Sequence, residues 1–145
     1  MDLQLKGRTA LVTGASMGIG RAIAIGLAAE GARLAIAARR KDLLEQIADG
    51  VEKAGGIRPA IVVADVMQPE SPHLIRDDAV RTLGKIDILV NSAGGSRPLP
   101  ADAPDQSWDE ALTLNFTRLR QLTHAILPGM IAQKWGRIIN ITGKS

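Results

Sequence analysis

The sequence contains no cysteine and no tyrosine, and its only rings besides histidine are Phe116, Trp108 and Trp135. Without cysteine, neither a disulfide framework nor a thiolate metal site can form. So few rings argue against the stacking surfaces that bind single-stranded nucleic acid. No apolar run approaches the roughly 18 residues of a membrane-crossing helix. The formal charge is only +3, and apart from Arg39-Arg40-Lys41 the basic residues are scattered, so no nucleic-acid partner is expected. Met1 to Arg8 holds no apolar stretch of the secretory kind, and the expected location is cytoplasmic. His73 and His124 have no metal-ligand spacing around them, and no metal is expected.

What is present is a regular alternation. Short apolar runs occur at Thr9–Val12, Leu34–Ala38, Ala60–Ala64, Ile86–Val90 and Ile138–Ile141. Between them, apolar residues recur at helical spacing: Ile23 and Leu27, then Leu43, Ile47 and Val51, then Ile75, Ala79 and Leu83. Gly31, Gly55-Gly56 and Gly84 close these three helices. A Gly- and Pro-rich loop from Gly94 to Pro104 precedes one long helix, expected over Asp105 to Gln133, with Leu112, Leu119, Leu122 and Ile126 in the core.

Runs that are apolar throughout, rather than alternating, predict strands buried on both faces. Strict β-α alternation predicts a single α/β domain over residues 1–145, a doubly wound parallel sheet of Rossmann type with strand order 3-2-1-4-5.

Thr13-Gly14-Ala15-Ser16-Met17-Gly18-Ile19-Gly20 lies between the first strand and the first helix, the context a dinucleotide fingerprint requires. Gly14 would permit the tight turn, Gly18 would let backbone approach a pyrophosphate, and Gly20 would let helix and strand pack closely. The helix N-terminus adds unpaired N–H groups and partial positive charge. At the end of the second strand, where an NAD site has an acid for the ribose 2′-hydroxyl, stand Ala38, Arg39 and Arg40. A guanidinium binds a 2′-phosphate through paired hydrogen bonds, and a carboxylate would repel it. The expected cofactor is therefore NADP(H). The other reading of Arg39-Arg40-Lys41 is a solvated helix start.

The T-G-x-x-x-G-x-G spacing resembles that of the short-chain dehydrogenase/reductase family. Asp65-Val66 after the third strand, Asn91-Ser92-Ala93-Gly94 after the fourth, Asn115 in the long helix and Gly136-Arg137-Ile138-Ile139-Asn140-Ile141 at the fifth fall where that family has its motifs. The resemblance implies hydride transfer between NADP(H) and a carbonyl or alcohol substrate. It implies that Gly14, Ser16, Met17, Gly18, Ile19 and Gly20 hold the pyrophosphate, and that Arg39 and Arg40 hold the 2′-phosphate. Asp65 and Val66 would then flank the adenine, and Asn91, Ala93 and Gly94 would line the nicotinamide side. Asn115 would help organise a proton relay. Met17 stands where many NADP-dependent relatives carry a basic residue, which leaves room for NAD. In the family the long helix also joins a four-helix dimer interface, implying a homo-oligomer, a dimer or tetramer.

Plainer readings exist for the single residues. Asp65 could only start a turn, Asn91 only bridge strands, and Asn115 only face solvent. The family's catalytic serine position falls on Gly143, with Thr142 and Ser145 nearby, and its Tyr-x-x-x-Lys would lie beyond Ser145. The expectation is thus the cofactor-binding part of a longer enzyme of about 250 residues. The alternative is a non-catalytic nucleotide-binding or interaction module that has lost the active site.

Overall fold

The computed structural model describes residues 1–94 and 98–142. Five strands, β1 (Thr9–Thr13), β2 (Arg33–Ala38), β3 (Ala60–Val63), β4 (Ile88–Asn91) and β5 (Arg137–Asn140), form one sheet in the order β3-β2-β1-β4-β5. Every pairing is parallel. The helices are α1 (Gly18–Ala29), α2 (Lys41–Lys53), α3 (Ser71–Leu83), α4 (Asp105–Leu112) and α5 (Arg118–Gln133).

Successive side chains of a strand point to opposite faces, so each central strand serves two cores. Ala10, Val12, Leu34, Ile36, Ile88 and Val90 meet Ala24 and Ala28 of α1 and Leu44, Ile47 and Val51 of α2. Leu11, Ala35, Ala37, Val62 and Leu89 meet Ile75, Ala79 and Leu83 of α3 and Leu122, Ile126 and Met130 of α5. This double covering is the reason β1, β2 and β4 are apolar along their length.

Three expectations need correction. First, burial on both faces fails for the two edge strands: in β3 only Val62 is fully buried and Val63 is 46% exposed, and β5 is barer still. Ile139 is 47% exposed and the strand has no fully buried residue. It is an edge strand, covered only where Ile138 reaches the α3–α5 core. Second, β4 starts at Ile88 rather than Ile86, because Asp87 pairs with the start of β1. The Asp87 N–H donates to Thr9 Oγ1 at 3.0 Å, and Thr9 N–H donates back to Asp87 Oδ2 at 3.0 Å. Lys85 Nζ at 3.4 Å and Gln133 Nε2 at 3.3 Å further compensate this buried carboxylate. Third, the long helix is interrupted by a π turn at Thr113–Thr117, and Asn115 is its central residue. Before this turn α4 buries nothing, and Leu112 is 58% exposed instead of core. After it, Leu122 and Ile126 are buried. Among the described residues, no helix is long and apolar enough to cross a membrane.

Candidate functional site

All five strands run the same way, so the loops that follow them gather along one edge of the sheet. The strand order reverses between β1 and β4, and the crevice at such a switch point is where open α/β sheets bind ligands. The residues singled out in the sequence stand on these loops.

The glycine loop follows β1. Gly14 has φ of +61°, and a Cβ there would lie 2.6 Å from Ser92 O and 2.7 Å from Ala93 N. A Cβ on Gly20 would collide with the Gly14 carbonyl. These two glycines let the β1 loop, the start of α1 and the β4 loop close on one another. Gly18 differs: φ is +60°, but nothing lies within 4 Å of its missing Cβ. Its bare backbone faces open space at the N-terminus of α1, which has no side-chain cap and no acidic residue in its first turn. The positive end of the helix dipole is therefore not compensated by the helix's own cap or first turn. Met17 and Ile19 beside it are 64% and 62% exposed, and Ser16 is half-buried.

The loop after β4 is tied to β1 by Thr13, whose hydroxyl accepts from Ser92 N–H at 3.2 Å and Ala93 N–H at 3.1 Å. Asn91 does bridge elements: its Nδ2 donates to Asn140 Oδ1 on β5 at 2.9 Å and to Thr123 Oγ1 on α5 at 3.1 Å. Its Oδ1 is buried and accepts nothing among the described residues. Asn115 lies against this loop. A Cβ on Gly94 would be 2.9 Å from Asn115 Oδ1, and Asn115 Nδ2 donates to Ala111 O at 2.9 Å within the helix.

The two arginines at the end of β2 are not equivalent. Arg40 is committed to Asp42 through two bonds, Nη2 to Oδ2 at 2.6 Å and Nε to Oδ1 at 3.2 Å. That hydrogen bonding raises the Arg40 pKa and holds the Asp42 carboxyl below its usual range. Arg39 is exposed and has no hydrogen-bond or ion-pair partner among the described residues. Asp65 does start a turn after β3: its Oδ1 accepts from Met67 N–H at 2.9 Å and its carbonyl from Gln68 N–H at 3.0 Å.

The structure thus brings the glycine loop, Asn91 to Gly94 and Asn115 together, with Arg39 at the end of β2 and Asp65-Val66 at the end of β3 on the same edge. A small cavity of about 10 Å³ is lined in part by Thr13, Val66, Asn91, Ala93 and Arg118, from five different elements and loops. The residues present fit a phosphate-bearing dinucleotide. The Gly18 backbone is bare and open, α1 has no side-chain cap and no acid in its first turn, and Arg39 has no partner among the described residues. Gly143 and Ser145, named for the serine position, lie outside the described residues, and Thr142 is exposed. The sequence placed Thr13 in the fingerprint without a role of its own, and Arg118 nowhere. Thr13 had a signal, a hydroxyl ending an apolar strand just before Gly14; Arg118 had none beyond its place three residues after Asn115.

Known proteins are similar to this chain in sequence and in fold. The sequence profile of the short chain dehydrogenase family matches residues 8–145. The chain is 40% identical over 140 residues to the 3-oxoacyl-acyl-carrier-protein reductase FabG of Pseudomonas aeruginosa, covering 96% of this chain and 56% of that protein. The solved structure of a 7α-hydroxysteroid dehydrogenase complexed with NADH and 7-oxo glycochenodeoxycholic acid superposes with a TM-score of 0.94 at 34% identity, covering 98% of this chain and 55% of that one. L-Sorbose reductase from Gluconobacter frateurii, complexed with NADPH and L-sorbose, gives a TM-score of 0.90 at 37% identity, covering 97% and 54%. The chain therefore spans about half the length of the proteins it matches.

Proposed function

Because the chain belongs to the short chain dehydrogenase family, we propose that residues 1–145 form the NADP(H)-binding domain of an oxidoreductase acting on a small carbonyl or alcohol substrate. When bound, the dinucleotide supplies or accepts the hydride. Gly14, Ser16, Met17, Gly18, Ile19 and Gly20 enclose the pyrophosphate at the α1 N-terminus. Asp65 and Val66 flank the adenine, and Asn91, Ala93 and Gly94 line the nicotinamide side. Asn115, beside Gly94, is the one catalytic residue assigned; no tyrosine occurs in these residues to serve as general acid and base. A cytoplasmic location and a homo-oligomer belong to the same proposal.

The observation that carries the choice of NADP(H) is Arg39, without a partner among the described residues, beside Ala38, where an acid would select NAD. Arg40, held by Asp42, is the secondary 2′-phosphate contact. Arg39→Ala should raise the Kd for NADPH by about ten- to a hundredfold, the scale of a lost charge-assisted contact, and leave that for NADH nearly unchanged. Equal losses for both would show that Arg39 is not a 2′-phosphate ligand.

A non-catalytic nucleotide-binding module is the second reading, favoured by Gly143 at the family's serine position. Because residues 1–145 hold no tyrosine and are not expected to turn over alone, oxidation of NADPH in the presence of a ketone panel separates the two when the protein assayed extends beyond Ser145. Retained binding without turnover would select the module.

A further inference from the structure

Arg118 opens α5, immediately after the π turn that carries Asn115. Its half-buried guanidinium spends its donors on the loop after β3. Nε donates to Val66 O at 2.8 Å and Nη2 to Met67 O at 3.0 Å, while Nη1 donates to Gln121 Oε1 at 3.0 Å, one turn further along α5. The partners are 52 and 51 residues away in sequence, so this contact is purely tertiary.

The Val66–Met67 peptide is held on both sides. Its carbonyl accepts from Arg118 Nε and from Ser71 Oγ at 3.2 Å, and its N–H donates to Asp65 Oδ1 at 2.9 Å. A peptide unit is planar, so fixing its carbonyl fixes the direction of its N–H. That N–H in turn orients the Asp65 carboxylate. One Asp65 oxygen is thereby occupied inside the turn, and the other is directed by the same constraint. Charge-assisted donors, as here, are the stronger kind of hydrogen bond.

We propose that Arg118 is a positioning residue for the adenine end of the dinucleotide, setting the Asp65 carboxylate through the Val66–Met67 peptide. It rests on the dinucleotide reading above and adds a physical link: the helix that bears Asn115 also holds the adenine-side loop. Asn115 and Asp65 are assigned to opposite ends of the same ligand, and Arg118 ties their supports together.

The test is calorimetric titration of the whole protein with adenosine 2′,5′-bisphosphate, which carries the adenine end, and with nicotinamide mononucleotide, which carries the other. Arg118→Met should raise the Kd for adenosine 2′,5′-bisphosphate by about tenfold, the scale of lost hydrogen bonds to a charged group, and leave that for nicotinamide mononucleotide unchanged. Arg118→Lys, which keeps the charge and can reach one carbonyl, should lose less. Ser71→Ala, which removes only the second donor to Val66 O, should shift the same fragment by about twofold, and it keeps the proposal testable if Arg118→Met does not fold. Unchanged binding of adenosine 2′,5′-bisphosphate in Arg118→Met overturns the proposal. So does an equal loss for both fragments, which would mark a general loosening. If the wild-type protein binds neither fragment, the dinucleotide reading itself fails, and Arg118 loses this role with it.

Discussion

Two loops on the same edge of the sheet, residues 14–20 after β1 and 65–70 after β3, are built on opposite principles. The first is held by the absence of side chains. Gly14 and Gly20 are pressed against Ser92, Ala93 and each other, with no room for a Cβ. The second is held by the presence of side chains. Asp65, Ser71 and Arg118 between them secure the Val66–Met67 peptide. A glycine fixed by backbone crowding admits almost no substitution. A loop fixed by side-chain bonds from a distant helix can be loosened in steps. The pyrophosphate end of the proposed site is therefore rigid by construction, and the adenine end is adjustable.

The sharpest break of this contrast is Gly20→Ala. Its Cβ meets the Gly14 carbonyl, which is backbone and cannot turn aside. The expected cost is at the upper end of overpacking, about 3 kcal/mol, read as a fall in the urea midpoint. A wild-type midpoint would mean that the loop is not crowded as described.

Gly18→Ala probes the one glycine of the first loop with room. Nothing would touch its Cβ, so the folding cost is limited to the left-handed φ, about 1–2 kcal/mol. The dinucleotide should nonetheless lose about tenfold in affinity, since the new methyl occupies the space proposed for pyrophosphate. A stable variant that binds NADPH as well as wild type would move the phosphate elsewhere.

Ser71→Ala tests the second loop. Val66 O keeps Arg118 as donor, so the stability change should stay within about 1 kcal/mol. A loss as large as that of Gly20→Ala would erase the distinction between the two loops.

The smallest effect concerns Arg40. Asp42→Asn removes its partner and frees a second cation for the 2′-phosphate. NADPH should bind about twofold tighter and NADH the same, in keeping with the small energies of exposed ion pairs. The pH dependence has a definite sign. The Asp42 carboxyl is held below its ordinary range, so the pair is intact above that range and is lost as pH falls through the lowered value.

The same contrast explains what could be read in advance. The order 3-2-1-4-5 and the two cores follow from continuous apolar strands alternating with amphipathic helices, and Gly14 and Gly20 act through their own backbone, so their spacing carries their meaning. The exposure of Leu112 was not legible, because burial depends on what covers a residue and not on its own apolarity. Nor was the π turn: Thr-Leu-Asn-Phe-Thr contains neither Gly nor Pro to announce it. Arg118 looks like any solvated helix cation until the fold brings Val66 to it. Asp65 and Asn91 serve structural roles that the plainer readings anticipated, and these leave Asp65 with one carboxylate oxygen beyond the turn and Asn91 with a buried Oδ1 that has no partner among the described residues.

The central claim is that one dinucleotide bridges both loops. Hydrogen–deuterium exchange, followed by mass spectrometry with and without saturating NADPH, tests it directly. The account predicts slower exchange in residues 14–20 and 65–70 together, and a smaller effect at 65–70 with nicotinamide mononucleotide alone. Protection confined to one loop, or absent from both, would contradict it.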